Sequence, residues 1–309
     1  SRGDWSSDVC SSDLKDKYMV RRTLFENNVD DVSQYYEISD IDILDRISTG
    51  IIFPVMVKPC DGSGSKGAKR VDSLTELKAA CIEAIKSSLV GKALIEDFVE
   101  GTEYGVESFV LNEEVDVLGV MSKIMTNPPN YAELGHCIPS QLGIEEKVKE
   151  VVKKAIKTLG INFGAVNMDV LVTKDNQVCI VDIGARMGGN LIGSHIIPIG
   201  TGVDYMGNII RAAVGDPVEL EPKRAGTNVV TRLLALKPGK VLGLPNFEEI
   251  KEKCEVHVYH HLKIGSEIRE YHNNLDGCGY VVSVSDDLQK AVRQADEAKD
   301  LIDLKVIRK

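Results

Sequence analysis

Lys58, Asp169, Asp182 and Arg186 are the residues whose types and placement could do chemistry together. Lys58 ends a stretch of β propensity, Phe53 to Val57, and leads into a glycine-interrupted loop, D-G-S-G-S-K-G. In that loop Gly62, Gly64 and Gly67 stand around Ser63, Ser65 and Lys66. Glycines permit a sharp turn and let backbone N–H groups close on an anion. Lys58 and Lys66 add positive charge in the same place. The loop reads as a phosphate cradle for a nucleotide, or else as a hairpin loop with surface lysines. It lacks the G-x-x-x-x-G-K-[ST] order of a Walker loop, and it is not a G-x-G-x-x-G that opens a helix directly.

Asp169 and Asp182 lie on two expected strands, Ala165 to Val172 and Gln177 to Ile183, joined by the polar turn Lys174-Asp175-Asn176. Carboxylates on adjacent strands of a hairpin can sit side by side and face one cleft. Opposite a phosphate cradle they would be hard oxygen ligands for Mg²⁺, which bridges phosphate oxygens and neutralises developing charge. Either acid alone would read as a solvated strand face. Arg186, just past Asp182, would reach a transferred phosphoryl group or a substrate carboxylate.

The elements that must position these residues follow from periodicity. Lys15 to Asn28 is expected to be a helix, with Lys17, Arg21 and Arg22 on its charged side and Tyr18, Met19, Leu24 and Phe25 supplying apolar contacts. A linker then runs to about Gly50. Ser73 to Leu89 reads as a helix with a Ser73/Glu76 capping box and an apolar face of Leu74, Leu77, Cys81, Ala84 and Ile85. Strands are expected at Ala93 to Phe98, Glu103 to Val110 and Val115 to Ser122, and a loop from Asn127 to Gln141. Ile144 to Leu159 is a clear amphipathic helix closed by Gly160. Gly184 to Gly202 is glycine-dense and irregular, and Tyr205 to Gly215 is helical. Beyond Pro217 come strands at Val229 to Leu236, Glu255 to Leu262 and Gly279 to Val284, then a helix over Ser285 to Ile302.

Composition narrows the partners. The chain is 43% hydrophobic and 27% charged, a globular mix, and its net charge of −10 argues against nucleic acid as a partner. No apolar run is long enough to span a membrane, so none is expected as a partner either. The seven cysteines show no C-x-x-C pairing, so reduced thiols and a cytoplasmic location are expected. Cys60 beside the loop is read as a packing residue rather than a nucleophile. Asp4 to Leu14, D-W-S-S-D-V-C-S-S-D-L, holds the single Trp and has no period. It resembles a translated sequencing adapter, so residues 1–14 are taken as a non-native leader, the alternative being an ordinary disordered terminus.

The order of these parts resembles the ATP-grasp fold. The residues that carry the resemblance are Asp16-Lys17, F-P-V-M-V-K-P…G-S-G-S-K-G at Phe53 to Gly67, and I-E-D-F-V-E-G-T-E-Y at Ile95 to Tyr104. V-N-M-D-V-L-V at Val166 to Val172, V-D-I-G-A-R-M-G-G-N at Val181 to Asn190 and T-G-V-D at Thr201 to Asp204 complete it. The resemblance implies an α/β (α+β) fold: a small lid subdomain at 51–98, a large subdomain with the metal site at 99–217 and a small β-rich region at 218–309. Residues 15–50 would be an N-terminal helix and linker, and the Rossmann-like domain that usually precedes this fold would be missing.

Roles come over residue by residue. Lys17 and Lys58 resemble the lysines that hold ATP phosphates, and Gly62 to Gly67 the loop that closes over them. Glu96, Asp97, Phe98 and Val99 resemble the adenine hinge, with Glu103 a ribose contact or merely a strand residue. Asp169 and Asp182 resemble the magnesium acids, with Mn²⁺ as a substitute ion, and Arg186 the arginine beside an acyl phosphate. The family's usual Asn after the second acid is Gly184 here, so Asn190 or a water is expected to supply the missing oxygen. Glu133 to Ser140, E-L-G-H-C-I-P-S, resembles the pattern of the amino-acid ligase branch, which adds Glu133, His136, Gly188, Gly189 and His195 as substrate contacts. M-G-G-N-L-I-G-S-H after Arg186 departs from the Q-V-E-H stretch of the biotin carboxylase branch. The implied activity is an ATP-dependent ligase joining a carboxylate to an amine, homodimeric like many relatives. The alternatives are a nucleotide-binding protein with weak or no turnover, and a carbamoyl-phosphate or carboxylase-like enzyme using bicarbonate.

Overall fold

The computed structural model describes residues 13–309 apart from 63–65, 128–130 and 225. The strands are β1 (Tyr35–Ile38), β2 (Val55–Pro59), β3 (Lys69–Val71), β4 (Ala93–Asp97), β5 (Thr102–Leu111), β6 (Glu114–Met125), β7 (Glu133–Ile138) and β8 (Phe163–Val172). They continue with β9 (Val178–Gly184), β10 (Asn228–Leu233), β11 (Gly239–Gly243), β12 (Val256–His260), β13 (Glu267–Ile268), β14 (Gly279–Ser285) and β15 (Ile307–Arg308). The longer helices are α1 (Lys17–Glu26), α2 (Leu74–Ser87), α3 (Glu145–Thr158), α4 (Tyr205–Val214), α5 (Phe247–Cys254) and α6 (Leu288–Lys305).

The chain forms two compact units. One holds residues up to Val120 with Leu142–Ile192 and Met206–Val218; the other holds Met121–Gln141, Gly193–Tyr205 and Glu219–Lys309. In the first unit an antiparallel sheet of order β1-β4-β2-β3 lays Val55, Val57, Ile95 and Val71 on Leu77, Ala80, Cys81 and Ala84 of α2. A second layer of β5, β8 and β9 packs Val106, Met168, Val170 and Ile180 against Val148, Val152, Ala155 and Ile156 of α3. Helix α3 carries Glu145 and Glu146 in its first turn and Lys157 in its last, each matched to the helix dipole. It ends in a Schellman arrangement: Ile161 N–H donates to Ile156 C=O at 3.2 Å, Gly160 N–H donates to Lys157 C=O at 3.0 Å, and Gly160 has φ +68.

The second unit pairs β10 with β7 and β14, and β14 with β12, all antiparallel. Helix α6 covers that sheet with Ala291, Ala295, Ala298 and Ile302. Strand β11 pairs with β13 and β15 in a small separate sheet.

Several expectations are corrected. Arg21 is buried rather than on a charged helix face, and Met19 is exposed. The linker before Gly50 contains β1, and the loop after Asn127 contains β7. Ser73 makes no side-chain cap on α2, and Leu74 is exposed. The region beyond Pro217 carries α5 as well as α6. The leader lies outside the described residues except at its end, where Leu14 is buried in the first unit's core.

Candidate active site

Strand registers build the site in the first unit. Met56 pairs with Glu96 and Lys58 with Leu94, so Lys58 and Glu96 point from one face of the sheet. Across β5, β8 and β9, Gly105, Asp169 and Asp182 form one row, and Glu107, Asn167 and Gly184 form the next. Opposed residues of an antiparallel pair have Cβ atoms about 5 Å apart. The carboxylates of Asp169 and Asp182 therefore start from neighbouring positions, as the hairpin argument expects. A bulge produces this. Asp169 pairs with Asp182 but Val170 pairs with Ile180, which leaves Val181 as the extra residue. Without it, Ile180 and Asp182 would share a face; with it, Ile180 and Ile183 both enter the core while Asp182 faces out.

Cations converge on the bulge. Lys58 Nζ donates to the Val181 carbonyl at 3.1 Å and pairs with Glu96 Oε1 at 2.5 Å. Lys17, at the start of α1, forms an ion pair with Asp182. Its helix is capped by Asp16, whose carboxylate accepts from the N–H groups of Tyr18 and Met19 at 3.1 Å. Arg21, a helical turn further on, donates through Nε to Glu96 Oε2 at 3.0 Å and through Nη1 to Asp30 at 2.8 and 2.9 Å, and bonds the Ile180 carbonyl. Burial alone would push the Glu96 carboxyl up, but the charges of Lys58 and Arg21 outweigh it and hold Glu96 below the ordinary carboxylate range. These groups enclose a cleft lined by Lys17, Arg21, Lys58, Glu96, Val181 and Asp182. The sequence reading missed Arg21 and Asp30. The available signal was that Arg21 lies one turn from Lys17 and so shares its helix face.

The other expected residues fall around this centre. Asp97 turns its side chain away, accepting from the N–H groups of Ser33 and Gln34 at 3.0 and 2.9 Å. Phe98 N–H donates to the Pro54 carbonyl at 3.2 Å, and the Arg70 guanidinium lies 4.4 Å from the Phe98 ring centre. Val99 is half-buried next to it, and Glu103 is half-buried on β5 opposite Leu171. Of the glycine loop, Gly62, Lys66 and Gly67 are described; Ser63, Gly64 and Ser65 lie outside the described residues. Gly67 has φ +74, a conformation that favours glycine. Burial pushes the Cys60 thiol up to about 12, which removes it as a nucleophile. Arg186 is exposed and folds back over Gly184, where an added Cβ would stand 3.4 Å from its Cγ. Gly188 is buried, Gly189 is exposed, and Asn190 has φ +49 in the turn that follows.

Glu133, His136 and His195 belong to the second unit. Glu133 pairs with buried Lys123 at 2.7 Å, accepts from Asn274 Nδ2 at 3.2 Å, and its backbone carbonyl accepts from the Tyr271 hydroxyl. His136 is buried, and its Nε2 has no hydrogen-bond partner. Burial lowers its pKa to about 4, so its imidazole is neutral near neutral pH. His195 Nδ1 lies 2.8 Å from the Ser194 hydroxyl, and its ring meets Tyr259 edge-on at 4.8 Å.

Comparison with known proteins bears on the fold. Residues 51–194 match the ATP-grasp domain, and residues 232–306 match the L-amino acid ligase C-terminal domain 2. The chain has the ATP-grasp fold. It is 26% identical over 270 residues to an uncharacterized protein y4rH of Sinorhizobium fredii, covering 83% of this chain and 54% of that one. It is also 26% identical to a D-alanine--D-alanine ligase of Lactococcus lactis, over 51% of this chain and 47% of that one. The chain thus spans about half the length of the curated relatives it matches. The L-amino acid ligase of Bacillus licheniformis has the same fold, with a TM-score of 0.79 at 22% identity over 94% of this chain and 71% of that one.

Proposed function

We propose that this chain belongs to an ADP-forming ligase that joins a carboxylate to an amine through an acyl phosphate, with amino acids as the substrate class. The observation that carries the proposal is the row of Asp169 and Asp182 beside Lys17 and Lys58. Two hard carboxylates with lysines beside them fit a magnesium nucleotide. ATP with Mg²⁺ (or Mn²⁺) would supply the phosphoryl group and the divalent charge. Asp169 and Asp182 would hold the metal, with Asn190 as a further oxygen donor. Lys17 and Lys58 would hold phosphate oxygens, under the loop Gly62 to Gly67. The Glu96 to Val99 backbone would bind the base edge, with Glu103 near the ribose.

Arg186 would neutralise the substrate carboxylate and hold it in place, so positioning and charge carry most of the rate. When Lys58 turns from Glu96 to a phosphate, Arg21 still neutralises Glu96. Gly188 and Gly189, in the turn that carries Arg186, would contact the substrates. The match to the L-amino acid ligase domain supports amino acids as both partners. Free cysteines among the described residues fit a cytoplasmic location.

The missing side chain at Gly184 favours a second reading, nucleotide binding with weak or no turnover. One assay separates the two. The protein is incubated with MgATP and a panel of amino acids, and ADP and dipeptide are measured together. The ligase reading expects ADP release that requires an added amino acid and is matched by peptide. Nucleotide binding with no amino-acid-dependent release would support the second reading and overturn the first.

A further inference from the structure

Glu107 is a fully buried acid with no place in the functional reading. On β5 it stands opposite Asn167 of β8, which in turn pairs with Gly184 of β9. Its Oε2 accepts from Asn167 Nδ2 at 2.9 Å, and its Oε1 accepts from the Gly188 N–H at 2.8 Å. An independent feature marks the same contact. A Cβ on Gly188 would lie 2.7 Å from Glu107 Oε2 and 2.9 Å from Asn167 Nδ2, closer than side chains tolerate. Gly189 has open space at the same test. The first glycine of the pair thus lies in close approach to Glu107, Asn167 and Ile192, and the second does not.

We propose that Glu107 and Asn167 are positioning residues that brace the turn carrying Arg186. The turn leaves β9 at Gly184, beside Asn167, and is fastened again at Gly188 by Glu107. Between these points Arg186 N–H donates to the Gly184 carbonyl at 2.8 Å, and Arg186 Nη1 donates to the Met187 carbonyl at 3.0 Å. The turn is held at both ends by one cross-strand pair, so the guanidinium is presented from a fixed backbone. A carboxylate suits this role because it accepts at both oxygens, and Asn167 Nδ2 and the Gly188 N–H are both donors. The brace stands on the contacts alone; its consequence for catalysis rests on the ligase reading.

The test uses a donor–acceptor exchange and needs no ligand. Glu107→Gln keeps one acceptor for Gly188 but sets its amide N–H₂ against the Asn167 N–H₂. Adding Asn167→Asp restores a donor–acceptor pair. Hydrogen exchange is followed in the peptide spanning Arg186 to Ile192 of the unliganded protein, with the α3 amides as an internal reference for folding. The brace predicts that Glu107→Gln speeds exchange of that peptide by about tenfold or more and that the double variant restores it. Unchanged exchange in Glu107→Gln, or a double variant no better than the single one, overturns the proposal. If Glu107→Gln does not fold, Gly188→Ala gives the same readout: faster exchange confined to this peptide supports the brace, and unchanged exchange overturns it. In the ADP-release assay the brace further predicts a lower kcat at unchanged KM for MgATP, recovered in the double variant. Absence of release in the wild type would sink the ligase reading, while the exchange result still decides the brace.

Discussion

Glu96 shows how individual residues set the chemistry here. It is buried between Lys58 and Arg21, and Arg21 is paired with buried Asp30 as well. Arg21→Met removes the partner of both Glu96 and Asp30, and breaking a buried pair costs about 3–5 kcal/mol. Urea unfolding followed by circular dichroism should show a loss of that size. His136 makes the opposite case, a buried base kept neutral. Its folded pKa of about 4 lies below the unfolded value near 6.5, so between these pH values the unfolded chain binds the extra proton. Its contribution is full above about pH 6.5 and is lost as pH falls toward 4, with an upper size of roughly 3 kcal/mol. His136→Gln should flatten that part of the stability–pH curve; an unchanged slope would mean another group titrates there. Asp169 and Asp182 were legible because each breaks the apolar pattern of its strand. Arg21 was not, because a long cationic side chain on a short helix reads as solvated unless its buried partners are known.

At the scale of elements, the bulge at Val181 decides which way Asp182 points. Strand patterning placed Asp169 and Asp182 on the two neighbouring strands β8 and β9. It could not give the bulge, because one extra residue in a mixed sequence leaves no periodic mark. Deleting Val181 should return β9 to simple alternation and either bury Asp182 or expel Ile180, with loss of any Mg²⁺-dependent nucleotide binding. Gly135 in the E-L-G-H stretch has a comparable role. A Cβ there would stand 2.2 Å from the Thr231 carbonyl, so β7 and β10 could not keep their contact. Gly135→Ala should destabilise the second unit by about 1–3 kcal/mol, read as a lower denaturant midpoint. Gly and Pro residues signal turns, so that stretch reads as a loop, yet Gly135 serves a strand packed too closely there for a side chain. Ser73→Ala, by contrast, should cost under about 0.5 kcal/mol, since Ser73 makes no cap on α2.

At the scale of the whole molecule, the order of motifs along the chain made the fold legible, while the grouping into units was not. Residues 121–141 and 193–205 fold with the carboxyl-terminal part, although both are separated from it in sequence. Contacts between distant segments settle that grouping, and no local pattern encodes them. The central claim is that Asp169, Asp182, Lys17 and Lys58 form a site for a magnesium nucleotide. The measurement that tests it most directly is calorimetric titration of ADP, with and without Mg²⁺, into the wild type and into Asp182→Asn. The account predicts binding that requires Mg²⁺ in the wild type and weakens by at least about tenfold, some 1.4 kcal/mol, in the variant. Equal affinity with and without Mg²⁺, equal affinity in Asp182→Asn, or no heat of binding in a folded sample would contradict it.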